Sequence, residues 1–157
     1  MSIWRPHTTA ILVGGVVVVV VAAAIAFMAG NFQPKTDLKI GSGVFSAKVA
    51  QDIASQETGL AGVKEMKPND ALIIAYDKDE TAGIWMKGML VSIDAVWLNS
   101  DKEVIHIVKN MTPEMDEKVF KPTTKARYVI ELPAGSVQLY NIKVGDSATF
   151  VISKEHR

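Results

Sequence analysis

The chain contains no cysteine. That removes disulfide staples, thiolate zinc centres, a catalytic thiol and a lipidated cysteine anchor. An excess of charge of either sign is missing too. Its 17 Lys and Arg stand against 17 Asp and Glu, and residues 1–34 contribute only Arg5 to that total. The remainder therefore carries one acid more than it has bases, which argues against a nucleic-acid surface, because phosphate binding wants clustered cations. There is no glycine-rich phosphate loop, no histidine-rich metal motif and no nucleophile elbow. Ser92 and His106 have too little around them to form a nucleophile and base.

One long apolar run is present. Ala10 to Ala29 (AILVGGVVVVVVAAAIAFMA) is uncharged. At about 1.5 Å per residue a helix of this length spans roughly 30 Å, the thickness of a bilayer's hydrocarbon core. Its valines would suit a strand in water, but in lipid every backbone amide needs an internal partner, so a helix is expected. Trp4 precedes it where an interfacial aromatic belongs. Ala24 and Ala26 make a passable cleavage site, yet the run is longer than a usual signal core. The organisation is thus read as a tail (residues 1–9), a single transmembrane anchor (10–29), a linker stopped by Pro34 (30–37) and a soluble domain (38–157). Lys35, Lys39 and Lys48 outnumber Arg5 across the span, which favours a cytoplasmic domain, whereas a short basic tail is usual for an outward-facing signal anchor. The extracytoplasmic side is the expected one.

The soluble part predicts a mainly antiparallel β domain of the α+β class, a small barrel or sandwich with two short peripheral helices. Strand patterns occur at Val44–Val49, Ala71–Tyr76, Ala126–Leu132 and Ala148–Ile152. Ile93–Leu98 and Glu103–Lys109 flank the turn Asn99-Ser100-Asp101-Lys102 as a hairpin. Asp52 suits a helix N-cap with Gly59 or Gly62 as the stop, and Ser136 suits a second cap. Asp77 to Glu80 reads as a charged loop. Asn110 to Thr124, with Pro113 and Pro122, is the longest irregular segment, a place where function often resides.

Several motifs fall in a fixed order: Thr58-Gly59-Leu60, Ile84-Trp85-Met86-Lys87, Ile93-Asp94-Ala95-Val96-Trp97-Leu98, the stretch ARYVIELPAG from Ala126 to Gly135, and Ile142-Lys143-Val144-Gly145-Asp146. Together they resemble the bacterial and archaeal family known as domain of unknown function 192, over residues 44–150. The resemblance implies a compact β domain, often behind a signal or anchor, and implies no reaction. The chain departs from the family pattern at Gly88 (usually Asn), at Ser92 (usually Pro) and at Ala71-Leu72, where a Met commonly opens the strand.

The polar and aromatic residues of these motifs are the candidate ligand-binding set. Trp85 offers a stacking face, Lys87 and Arg127 can bind an anion, and Asp94 and Glu131 can orient a ligand. The alternative is structural, with Asp94 and Arg127 paired across the sheet and Trp85 in the core. Asp94 and Glu131 would be the acid–base pair of any small hydrolase-like enzyme. A further alternative is a Cu(I) site from Met86, Met89 and His106, with Met111 and Met115 nearby in sequence, since thioethers and imidazole suit that ion. The plain reading of the same methionines is that they fill gaps in the core. Trp97, Tyr76 and Phe120 could form an apolar patch for a protein partner. The expectation is a membrane-anchored binding or interaction domain for a small molecule or a protein, with no nucleic acid, no inferred cofactor and no inferred catalytic residue.

Overall fold

The computed structural model describes residues 35–153. The segment Ala10–Ala29, the tail before it and the linker as far as Pro34 lie outside them. Among the described residues no helix is long and apolar enough to cross a membrane.

Strand β1 (Lys35–Ile40) begins inside the stretch read as linker. Its C-terminal half alternates buried Leu38 and Ile40 with exposed Lys39, the period of a strand with one face on a core. A tight turn leads to β2 (Gly43–Ala50). Gly41 in that turn has φ +55, and an added Cβ would lie 2.4 Å from the Tyr140 carbonyl oxygen, so conformation and space both require glycine. Helix α1 (Ile53–Thr58) starts and stops where its caps indicate. The Asp52 carboxylate accepts the Ser55 N–H at 2.9 Å, and Gly59 at φ +52 ends the helix.

Strand β3 (Asp70–Glu80) is longer than its apolar run. It continues through the charged residues Asp77 to Glu80, because Glu80 still pairs with Ala126 after a register break. Two-residue β4 (Ile84–Trp85) follows, then the hairpin of β5 (Ile93–Leu98) and β6 (Val104–Met111). The irregular segment after β6 contains a 3-10 turn (Pro113–Met115) and β7 (Val119–Phe120), which pairs antiparallel with β4. Strand β8 (Ala126–Pro133) and the single-turn α2 (Ser136–Leu139) complete the elements.

The main sheet runs β1-β2-β3-β8-β5-β6, with a parallel pairing only at β2–β3, where α1 makes the crossover. The expected barrel is not formed: the sheet is open, with β1 and β6 as its edges. Ala148–Ile152, expected as a closing strand, makes only the isolated bridge Lys39 to Thr149, and Ser147 just before it makes another to Glu103. They tie the edges at one end without a continuous ladder. Lys102 holds the same segment by donating to the Phe150 carbonyl at 2.7 Å.

Both faces of the sheet are covered, as the all-buried pattern of β5 requires. One face carries Phe45, Ile73, Val96, Ile130 and Leu132 under Val137, Ile142 and Phe150. The other carries Leu72, Ile74, Ala95, Trp97 and Val129 under Leu60, Ile84, Met86, Met89 and Phe120. The apolar patch expected from Trp97, Tyr76 and Phe120 is therefore absent: Trp97 and Phe120 are buried and Tyr76 is half-buried. Trp97 also donates its indole N–H to the Ala82 carbonyl at 3.1 Å, which satisfies its one polar atom.

Candidate functional site

The described residues enclose a cleft of about 340 Å³ on the second face. Its walls come from three places. Helix α1 and its cap provide Gln56, Glu57, Thr58 and Gly59. Strand β3 and the following turn provide Ile74, Tyr76, Glu80 and Gly83. Strand β4 and the loop after it provide Trp85, Lys87 and Met89. Gln56 fixes the helix against the sheet, its amide donating to the Ala75 carbonyl at 2.7 Å and to the Gln51 carbonyl at 3.1 Å. The β4–β7 ribbon carries Trp85 opposite Val119 and leaves the residue 43% exposed at the cleft.

Glu131, from the middle of β8, reaches the cleft from beneath. Its position follows from strand parity. It pairs with Leu72 on one side and Ala95 on the other, so its side chain lies on the face of Leu72, Ile74 and Trp97. It is 3% exposed, and its Oε2 has no hydrogen-bond partner among the described residues. Burial pushes its carboxyl up to about 7. Beside it the Tyr76 hydroxyl is pushed up to about 12, first by burial and then by the Glu80 and Glu131 carboxylates. An added Cβ at Gly59 would come to 3.8 Å of Glu131 Oε2, so the end of α1 lies directly against this carboxyl.

Three of the five ligand-binding candidates, Trp85, Lys87 and Glu131, thus meet at one cleft. Asp94 and Arg127 do not join them. Because Ala95 pairs with Glu131, Asp94 projects from the opposite face, and the two carboxylates are not brought together as an acid–base pair. Asp94 is fully buried and serves the backbone. One oxygen accepts the Asn110 N–H at 2.8 Å and the other the Val137 N–H at 2.8 Å. Asn110, at φ +53, is where β6 bulges against β5, so Asp94 satisfies an amide that the ladder releases. The Val137 bond caps α2, a role expected of Ser136. The residue at the N-cap is Gly135, which makes no side-chain cap.

Arg127 pairs with Asp79 at 2.7 Å rather than with Asp94, and both are partly exposed. It does not converge with Lys87 on an anion. Met86 and Met89 are buried in the apolar cluster with Leu60, Ile84 and Trp97. His106 packs its ring edge-on against Trp97, with centroids 5.2 Å apart. Among the described residues no group of three His, Asp or Glu could hold a metal ion.

The sequence pattern alone does not single out Tyr76, Glu80 and Gln56 as one site. Tyr76 continues the alternation of Leu72 and Ile74, which puts it on the face of Glu131. That signal lies in the sequence, but it becomes useful only once the β3–β8 pairing is known.

Sheet and cleft together define a small α+β domain whose open sheet presents one buried carboxyl to a half-apolar cleft. The chain belongs to the domain of unknown function 192 family, described as "Uncharacterized ACR", which matches residues 36–150. Among its relatives, a UPF0127 protein of Thermococcus sibiricus is 28% identical over 121 residues, covering 77% of this chain and 75% of the relative. A UPF0127 protein of Pyrococcus abyssi is 33% identical over 86 residues, covering 54% and 70%. A candidate transcription regulator from Sinorhizobium meliloti 1021 has a similar structure, with TM-score 0.72 and 22% identity over 75% of this chain and 95% of that one. A protein of unknown function from Novosphingobium aromaticivorans has TM-score 0.68 and 24% identity, over 74% and 84%. At these identities the two structures establish the fold alone.

Proposed function

We propose that this domain is a small-molecule binding module, held at a membrane on its extracytoplasmic side by Ala10–Ala29. The observation that carries the binding reading is Glu131. A buried carboxyl oxygen without a partner forgoes roughly 1–3 kcal/mol of hydrogen bonding. A donor on a bound ligand would recover that loss. The rest of the cleft suits such a guest, with apolar Ile74, Ile84 and Met89 for its body and the half-exposed Trp85 ring for stacking. No reaction is assigned. Glu80 lines the same cleft and, with Glu131, raises the Tyr76 hydroxyl, but no nucleophile or second acid–base group is defined beside them among the described residues.

The reading is tested by thermal shift on the full-length chain in detergent micelles, against neutral, anionic and cationic single-ring compounds. A ligand at about 100 times its dissociation constant should add roughly 2.7 kcal/mol, a shift of several degrees. The shift should shrink in Trp85→Ala, whose ring is partly solvent-exposed. If no compound shifts the melting temperature, the small-molecule reading fails. Anchoring is tested by carbonate extraction of membranes and by protease access from outside the cell. Release of the chain into the carbonate supernatant would contradict the anchor, and protection from external protease would contradict the orientation.

A further inference from the structure

We infer that the cleft between α1, β3 and β4 is a site for a primary amine on an apolar or aromatic body, with the ammonium seated against Glu131. The inference rests on the binding reading above and names its ligand class.

Three observations carry it. The first is the unpartnered Oε2 of Glu131, buried under a wall of the cleft. The second is the charge of the lining. Glu57 and Glu80 line the cleft with one cation, Lys87, and Glu131 adds a third acid once it ionises, so the field favours positive charge. The third is Trp85, partly exposed at the cleft and suited to the face of a ring or an alkylammonium. Arg127, the cation that would have favoured an anion, is turned to Asp79. Gly59 keeps the approach open. Its missing side chain leaves the helix end in contact distance of the carboxyl, where a larger residue would fill the space above Glu131.

The titratable groups that line the cleft with Glu131 are Tyr76 and Glu80 from β3, Glu57 from α1 and Lys87 from the loop after β4, and of these Tyr76 is close enough for the Glu131 carboxylate to raise it. Tyr76 stays protonated through the neutral range, so its hydroxyl is an additional polar partner and not a competing charge. An ammonium arriving here stabilises the ionised form of Glu131 and releases its proton. Amine affinity should therefore rise as pH is raised from 5.5 to 8, as long as the amine itself stays charged.

The experiment compares three probes of similar shape, benzylamine, benzyl alcohol and phenylacetate, on the full-length chain in detergent at several pH values. Benzylamine should bind best, with an affinity that climbs with pH. In Glu131→Gln, which keeps the shape and removes the charge, affinity should fall by about tenfold or more and the climb should vanish. Trp85→Ala should weaken binding at all pH values alike. Equal or better binding of benzyl alcohol or phenylacetate would overturn the amine assignment and leave the binding cleft in place. So would benzylamine binding that is unchanged in Glu131→Gln. Failure of all three probes, in the folded chain, would overturn both.

Discussion

Two buried acids in neighbouring strands show how much a residue's role depends on its partners. Asp94 is enclosed, yet each oxygen receives a backbone N–H. Glu131 is enclosed with one oxygen receiving nothing. Removing Asp94 would strand the buried Val137 amide and the partly buried Asn110 amide, and with them two charge-assisted bonds. Asp94→Ala is thus expected to cost on the order of 3–5 kcal/mol by chemical denaturation, with the bulge at Asn110 and the turn of α2 loosened first. Glu131 should behave in the opposite way. Its folded-state carboxyl titrates near 7, above its ordinary value of 4.5. Between these values the folded chain holds a proton that the unfolded chain has released, so stability falls as pH rises through this window. The penalty is absent below the lower value and complete above the upper one. Glu131→Gln should then be more stable than the wild type at pH 8, by at most about 3 kcal/mol, and nearly equal to it at pH 4. Urea titrations at the two pH values measure the difference. None of this was legible in the motif itself, where Asp94 and Glu131 look alike. Burial distinguishes neither, and only strand pairing decides which face and which amides each one meets.

At the scale of elements the sequence was more informative. The Asp52 cap, the Gly59 stop and the hairpin around Asn99 to Lys102 rest on contacts between near neighbours, and each formed as its local pattern indicates. Asn99 holds that turn with its own side chain, accepting the Asp101 N–H at 3.0 Å and the Glu103 N–H at 2.9 Å. Elements that depend on distant partners were not legible in this way. The charged end of β3 is a strand because β8 lies beside it, and residues 148–152 fall short of one because β1 offers only a single bridge. β7 lies within a segment that reads as irregular, and its pairing with β4 makes the ribbon that presents Trp85. Helix α1 has no buried residue and is held by its caps and by Gln56. Asp52→Ala should therefore cost about 1 kcal/mol of stability and should raise amide exchange along α1 well before the sheet is affected. Uniform exchange across α1 and β3 in that variant would mean that the helix is not separately held.

For the molecule as a whole, the alternating patterns were enough to give the α+β class and a mainly β domain, but not the shape of the sheet. A small barrel or a sandwich was the inference from many short strands. The chain instead uses one open sheet and covers both faces with loops, two short helices and a two-stranded ribbon. This arrangement leaves Met86 and Met89 in the cover layer. Met86 is fully buried there, so Met86→Ala should cost roughly 2–5 kcal/mol through the cavity it opens. A much smaller loss would mean that the layer over the second face is loosely packed. The same layer leaves a gap on one side, the cleft that Glu131 lines.

Glu131 lies buried against that cleft with its Oε2 unpartnered, and burial pushes its carboxyl up to about 7. The most direct measurement is a pH titration of the Glu131 side-chain carboxyl by carbon-13 NMR on the full-length chain in micelles, with Glu131→Gln to assign the resonance. A midpoint near 7 that moves down when benzylamine is added is the expected result. A midpoint near the ordinary carboxylate value of 4.5, unmoved by the amine, would show a solvated or paired acid and contradict the claim.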